Sequence, residues 1–302
     1  MTNSGYTFVD RVRPQDDGRT VLAYYAGRHL RAARDEWRDR IEAGRVTRGG
    51  AVLGCDDRVR AGDRLEYRRP PWQEPDVPLD APVLYRDDDV LVLHKPAGLP
   101  VLPGAGCQDR TLLALARRDF GDGVRTVHRL DRGTSGAIAL ALNADAARRL
   151  CAAFAKRKVA KTYLARLTGI DLPERFVIDA PIGRVSFPPL GFVSGVAADG
   201  RPAHTEVTVR LRDPETGESV AEVRITTGRS QQIRVHLAHA GYPLAGDPLY
   251  GPGGHPRLPG PGERPARPGD GGYLLHAWRL AFPARDGRPI EVVAPPPEGL
   301  QP

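Results

Sequence analysis

The sequence predicts an α+β protein: a large, mainly antiparallel sheet flanked by helices and loops, plus a small N-terminal α/β module. From Thr162 onward, short apolar stretches separated by turn residues predict one strand after another, whereas few segments have a helical period. Many strands with few helices are typical of the α+β class. A proline-rich segment predicts the division into a module at 1–69, a linker at 70–80 and a larger domain at 81–302.

The N-terminal module combines two predicted helices with short strands. One helix begins near Thr20, and a second, near Arg31 to Ala43, places Trp37 and Ile41 on one face. Strands at 45–47 and 51–53 flank a two-glycine hairpin turn, and a further turn and strand follow at 59–65.

The larger domain begins with a predicted hairpin at 83–93, followed by a helix from Thr111 to Phe120. Asn143 is a good N-cap for the next helix, which carries an apolar stripe. Three further strands are predicted at Tyr163–Thr168, Thr205–Leu211 and Val220–Thr226. The glycine- and proline-rich stretch from Gly251 to Gly272 predicts a surface loop.

The charge of the chain indicates a nucleic-acid partner. The net charge is +7, and nearly all of the 44 basic residues are arginine, whose planar fork suits phosphates and stacks on bases. GC-rich codon usage would also enrich arginine. The three cysteines are far apart and indicate a reducing compartment. With no visible secretory signal or long apolar run, we expect a cytoplasmic protein that is not membrane-bound.

The most informative segment is the run from His128 to Gly136. It places Asp131 between Arg129 and Arg132, and an apolar strand pattern follows at once. Neighbouring cations are expected to lower the pKa of Asp131, so that the carboxylate could act as a nucleophile or base. The alternative is a surface turn with an ordinary arginine–aspartate pair.

The letters H-R-L-D-x-x-T-S-G at 128–136 match the signature of the RluA-type family of RNA pseudouridine synthases, which the chain resembles. Further pieces of the family pattern follow in order: K-P-A-G at 95–98, K-x-Y-x-A at 161–165, a version of T-G-R-x-H-Q-I-R-V-H-L at 227–237, and segments at 241–251 and 274–277. The resemblance spans roughly 81–295. It implies the pseudouridine synthase fold and an isomerase that needs no metal or cofactor.

The resemblance also implies roles for individual residues. Asp131 would be the nucleophile, attacking either the sugar anomeric carbon or the uracil ring. Tyr163 would occupy the uracil slot, stacking on the base and mediating proton transfer. Arg229 would pair with Asp131, with Arg234 as the alternative partner. Gln231 replaces the usual histidine and cannot become cationic.

RNA contacts are expected from two groups of residues. The N-terminal module resembles the alpha-L RNA-binding motif, and its basic residues would contact phosphates. Arg129 would fill the space of a flipped nucleotide or contact a phosphate. The full set of predicted RNA-contacting residues is Arg129, Arg132, Thr134, Gln231, Arg234, His236, Arg31, Arg34, Arg38, Lys156 and Lys158.

Three functions remain open at this point. The first is a monomeric pseudouridine synthase for structured RNA, with ribosomal RNA expected and transfer RNA as an alternative. The second is a catalytically silent RNA-binding or RNA-remodelling protein, suggested by Gln231. The third is a hydrolase with paired carboxylates, for which no motif supplies the second acid.

Overall fold

The computed structural model describes residues 2–28, 32–104 and 106–301. The chain forms two compact units, Met1–Pro75 and Asp76–Pro302.

The N-terminal unit contains two helices and a four-stranded antiparallel sheet within its described residues. The strands have the order β1-β4-β2-β3. Tyr25, Trp37 and Tyr67 form an aromatic cluster in the core between helices and sheet. The elements are α1 (Val21–Arg28), α2 (Arg34–Glu42), β1 (Tyr6–Arg11), β2 (Val46–Arg48), β3 (Ala51–Val52) and β4 (Arg64–Arg69).

Both predicted helices of this unit are confirmed, whereas strand β1 was not foreseen. Nearly all of β1 is exposed, so its sequence lacks the apolar alternation that predicts a half-buried strand. Its backbone pairs with β4 along its whole length.

The C-terminal unit contains most of the regular structure. Its helices are α3 (Leu112–Phe120), α4 (Ala144–Ala155) and α5 (Gln232–His239). Its strands are β5 (Val83–Arg86), β6 (Val90–Lys95), β7 (Arg125–Thr126), β8 (Ser135–Ala141), β9 (Ala160–Thr168), β10 (Arg175–Asp179), β11 (Ile182–Phe187), β12 (Gly191–Val196), β13 (His204–Asp213), β14 (Glu218–Ile225), β15 (Leu275–Pro283) and β16 (Pro289–Val293).

Ten of these strands form one sheet, with the order β10-β13-β14-β9-β15-β8-β6-β5, β16 beside β15 and β7 beside β8. Its pairs are antiparallel except β15 with β8. The predicted α+β class with a large, mainly antiparallel sheet is therefore confirmed. The hairpin of β11 and β12 stands apart as a separate small sheet.

The parallel contact between β15 and β8 fixes the end of the signature run. Gly136 faces Ala277 with φ at +109°, and a Cβ there would lie 2.3 Å from the Ala277 carbonyl oxygen. Only glycine permits the two backbones to approach so closely. The turn that carries Asp131 is thereby anchored to the centre of the sheet.

Two helices of this unit begin at N-cap residues whose side chains accept hydrogen bonds from the first turn. The Asn143 side chain accepts a hydrogen bond from the Ala146 amide at 2.8 Å and so caps α4, whose Leu150 packs into the core. Thr111 caps α3 in the same way through Ala114.

Around Arg234, apolar residues at 233, 235 and 237 alternate with polar ones, yet the segment is not a strand. It forms α5, in which residues 232–238 are all buried. Gln232, Arg234 and His236 are buried in this helix along with its apolar residues, so polar residues do not mark a solvent-exposed face and the helical period could not be read from the sequence.

Candidate active site

A cavity of about 670 Å³ opens in the C-terminal unit. It lies between the signature turn, the start of β9 and the loop that leads into α5. Asp131, Tyr163, Arg229 and Arg234 all line it, so segments far apart in the sequence meet at one site.

Asp131 lies in a tight turn just before β8, where its carbonyl accepts a hydrogen bond from the Thr134 amide at 3.1 Å. Burial raises the pKa of Asp131, while the positive charges of Arg234, Arg129 and Lys95 act to lower it. The predicted depression of this pKa is wrong in direction, because desolvation outweighs the cations. Those cations still favour the ionised form that a nucleophile needs.

Arg234 is a buried cation of the site, held in place by several hydrogen bonds. Its side chain is fully buried, and its Nε and Nη2 each donate to a carboxylate oxygen of Asp247 at 2.8 Å. Its Nη1 donates to the Pro268 carbonyl at 2.7 Å, and its guanidinium lies 4.4 Å from the centre of the Tyr273 ring. This fixed cation interacts electrostatically with Asp131.

The expected partner of Asp131, Arg229, is placed differently. Its Nε donates to the Pro202 carbonyl at 2.9 Å, and Asp131 does not contribute to the shift of its pKa. Among the two candidate arginines, the charge of Arg234 is the one that acts on Asp131, and no direct ion pair joins either of them to Asp131 in the described residues. Both arginines nevertheless line the cavity that contains Asp131.

Tyr163 projects from β9 and is 7% exposed. Burial and then the negative charge of Asp131 raise the pKa of its hydroxyl. The phenol therefore stays protonated at neutral pH and can donate a hydrogen bond or a proton within the cavity.

Two further residues hold the site together, and the sequence did not single them out. Lys95 is fully buried, and its amine donates to the carbonyls of Pro96, Leu99 and Arg132 at 2.8, 2.8 and 3.2 Å. It thus ties the strand end after β6 to the signature turn. Asp247 lies in the segment at 241–251, which the sequence shows only as a piece of the family pattern. A buried arginine needs a buried acid, but that rule points to Asp247 only once the structure shows that Arg234 is buried.

Several predicted RNA contacts are buried instead. The ring nitrogens of His236 lie 2.9 Å from Thr205 Oγ1 and 2.9 Å from the Ala180 carbonyl oxygen, so this histidine is a core residue and the predicted RNA contact is corrected. Thr134 is 2% exposed and borders the cavity.

Gln231 also lines the cavity, although its side chain is mostly buried. Its Oε1 accepts a hydrogen bond from the Tyr250 hydroxyl at 2.7 Å, and its backbone has φ at +56°. This glutamine occupies the N-cap position of α5 in a left-handed backbone conformation, and its side chain makes no capping hydrogen bond.

The remaining predicted RNA contacts fall into three groups. Arg129, Lys156 and Lys158 are exposed in the C-terminal unit, and Arg129 lines the cavity. Arg132 donates to the Gly98 carbonyl at 2.8 Å and so supports the turn.

In the N-terminal unit, Arg34 and Arg38 are exposed on α2, and Arg38 pairs with Asp35 at 2.7 Å. Arg31 lies outside the described residues.

Two kinds of feature are absent from the residues that the structure describes. No cluster of three or more histidine, cysteine or acidic side chains there is arranged to hold a metal ion. No helix in the described ranges is long and apolar enough to cross a membrane.

Comparisons with known proteins agree with this architecture. The family described as RNA pseudouridylate synthase matches residues 89–239. An uncharacterized RNA pseudouridine synthase of Synechocystis is 39% identical over 93% of this chain and 96% of its own length. Ribosomal large subunit pseudouridine synthase D of Xanthomonas campestris is 38% identical over 93% of this chain and 86% of its own.

A solved structure, human RNA pseudouridylate synthase domain containing 1, is similar over 74% of this chain and 87% of its own, with a TM-score of 0.58 and 32% identity. The chain therefore belongs to the RluA-type family of RNA pseudouridine synthases. Members of this family are isomerases that convert uridine to pseudouridine in RNA.

Proposed function

We propose that this protein isomerises uridine in structured ribosomal RNA, with Asp131 as the nucleophile. The observation that carries the proposal is that Asp131 and Tyr163 line one cavity, beside a buried Arg234 held by Asp247. A carboxylate in a fixed cationic environment is suited to attack, and a protonated phenol is suited to proton transfer.

The reaction balances without any outside reagent. The bond between uracil N1 and the sugar anomeric carbon breaks, the base turns, and a bond from C5 to the same carbon forms. The hydrogen on C5 leaves as a proton and N1 gains one. Asp131 attacks either the anomeric carbon or the uracil ring. In this proposal the Tyr163 phenol gives its proton to N1, and the phenolate so formed accepts the proton from C5.

The target uridine must leave its stack to reach the cavity, because a base in folded RNA is covered by its neighbours. Arg129 is exposed beside Asp131 and is suited to occupy the vacated space or to hold a phosphate. We infer that the protein acts as a monomer in the cytoplasm, with 1–69 as an alpha-L type RNA-binding module, 70–80 as a linker and 81–302 as the catalytic domain.

Large-subunit ribosomal RNA is the favoured substrate because several relatives are named as ribosomal large subunit pseudouridine synthases. Transfer RNA is the alternative. The test is to incubate the purified full chain with separate in vitro transcripts of both RNAs and to map pseudouridine by primer extension after chemical labelling. Pseudouridine in the ribosomal transcript is expected; pseudouridine only in transfer RNA would overturn the substrate, and none in either would overturn the activity.

A further inference from the structure

Three arginines from separate segments line the same cavity, next to the proposed catalytic residues. They are Arg157, Arg201 and Arg229, here called the arginine rim. Among the charged side chains that line the cavity within the described residues, six are cations and one, Asp131, is an acid. The six cations are Arg129, Arg157, Lys161, Arg201, Arg229 and Arg234.

The rim is not neutralised by the protein. Within the described ranges, none of the three rim arginines forms a salt bridge with a carboxylate. Burial, and then the charges of Arg201 and Arg157, lower the pKa of Arg229. The three guanidinium groups therefore repel one another, and an anion placed between them would relieve that repulsion.

Each rim residue has its backbone fixed. Arg201 exchanges two backbone hydrogen bonds with Ile182, at 2.9 and 3.0 Å. The Arg229 amide donates to the side chain of Gln232 at 3.0 Å. A site whose parts are held in advance loses little conformational freedom when it binds a ligand.

Arg157 stands where glycine is usual. It follows α4 with φ at +57°, its amide donates to the Phe154 carbonyl at 3.1 Å, and the Lys158 amide donates to the Ala153 carbonyl at 2.9 Å. This is a Schellman motif, which ordinarily has glycine at the left-handed position. A long cationic side chain at a strained position, facing a cavity, indicates a use other than ending the helix.

We propose that the arginine rim binds a phosphodiester group of the RNA next to the uridine held at Asp131. The inference rests on the proposed function, because the cavity that the rim borders is the proposed uridine site. Arginine forks match phosphate oxygens in two-point hydrogen bonds, and three forks around one group would fix the strand at the point where the base turns outward. Arg229 thus has a binding role in place of the expected contact with Asp131.

The test measures the RNA affinity of variants that also carry Asp131→Asn, so that the affinity does not depend on turnover. Arg157→Gln/Arg201→Gln is combined with Asp131→Asn, and equilibrium binding to an in vitro transcript of large-subunit ribosomal RNA is measured from 50 to 200 mM salt. The matched control combines Asp131→Asn with Arg175→Gln/Arg285→Gln, which removes two exposed charges outside the cavity.

The variant with Arg157→Gln/Arg201→Gln is expected to bind RNA about ten- to a hundredfold more weakly than the control variant, because hydrogen bonds to a charged phosphate are lost. The slope of log affinity against log salt should also become shallower by about 0.7–0.9, the value for one phosphate. An affinity within twofold of the control, with an unchanged salt slope, would overturn the proposal that the arginine rim binds a phosphodiester group. Because binding is read without turnover, this result is independent of whether Asp131 is the nucleophile.

A single substitution separates binding from folding. Arg157→Gly should raise the midpoint of thermal unfolding, since glycine suits the left-handed position, yet weaken RNA binding by about tenfold. A variant that is stabilised and binds RNA as well as the wild type would contradict the proposal. A variant that is destabilised would show that the arginine side chain serves the helix end, and that result would also overturn it.

Discussion

The buried pair of Arg234 and Asp247 provides the most quantitative prediction. The two side chains are 0% and 1% exposed, and two nitrogen–oxygen contacts of 2.8 Å join them. Asp247→Asn keeps an oxygen that can accept from the amides of Leu249 and Tyr250, as the carboxylate does at 2.8 and 3.1 Å. It removes the charge that compensates the buried guanidinium.

Breaking a buried ion pair by removing one partner costs about 3–5 kcal/mol in the free energy of unfolding. We expect a loss of that size for Asp247→Asn, together with a fall in isomerase activity because Arg234 is no longer oriented. Asp270→Asn is the control, since its pair with the largely exposed Arg264 should contribute about 0–1 kcal/mol. Urea unfolding followed by circular dichroism measures both, and a loss for Asp247→Asn within about 1 kcal/mol of the control would refute the reasoning.

Three further predictions concern the fold and the pH dependence. Gly136→Ala should lower the free energy of unfolding by more than about 2 kcal/mol, because the new Cβ would meet the backbone of the neighbouring strand. The control Gly217→Ala, with φ at +69° and open space around it, should lower it by about 1 kcal/mol. Equal losses in thermal unfolding would refute the close approach. Burial lowers the pKa of His276 to about 4, so between pH 7 and pH 5 the unfolded chain binds a proton at this residue that the folded chain does not bind. The contribution of His276 to the free energy of unfolding is therefore present above about pH 6.5 and should fall by about 2 kcal/mol by pH 5. His276→Gln should remove that part of the pH dependence in urea titrations, while His255→Gln, at an exposed site, should leave it; an unchanged dependence in the first variant would contradict the assignment. Because burial raises the pKa of Asp131, the acid limb of the rate should lie above the usual range for aspartate, and activity retained fully at pH 4 would count against an ionised nucleophile.

The fold class could be predicted because local signals agreed with the tertiary structure. Asn143 caps its helix as a polar N-cap should, and the strand at 205–211 alternates in burial over most of its length, as half-buried strands do. Strand β1 and helix α5 were not predicted, for opposite reasons. The first is exposed almost throughout and the second is buried on every side, so neither has a pattern of alternating burial.

The candidate site could be predicted in its members but not in its pairings. Motif order brought Asp131, Tyr163 and Arg234 into view, and all three line the cavity. Which arginine acts on the charge of Asp131 depends on the packing of α5, and the chain enters that helix through a left-handed backbone at Gln231. No local rule assigns that conformation to glutamine, so the choice between the arginines needed the structure.

The direction of the Asp131 pKa shows a second limit. The sequence displays the neighbouring cations, whose effect is to lower the pKa, but it does not display burial, whose effect is opposite and larger. Desolvation depends on the packing of distant segments around the turn.

Release of tritium from RNA labelled at uracil C5 tests the nucleophile most directly, since each new bond at C5 displaces that hydrogen. The measurement uses whichever transcript the wild-type protein modifies, with Asp131→Asn and the exposed control Asp145→Asn. We expect release by the control to match the wild type and release by Asp131→Asn to fall by at least about a thousandfold, with its folding and RNA binding retained. Release by Asp131→Asn within tenfold of the wild type would contradict the mechanism.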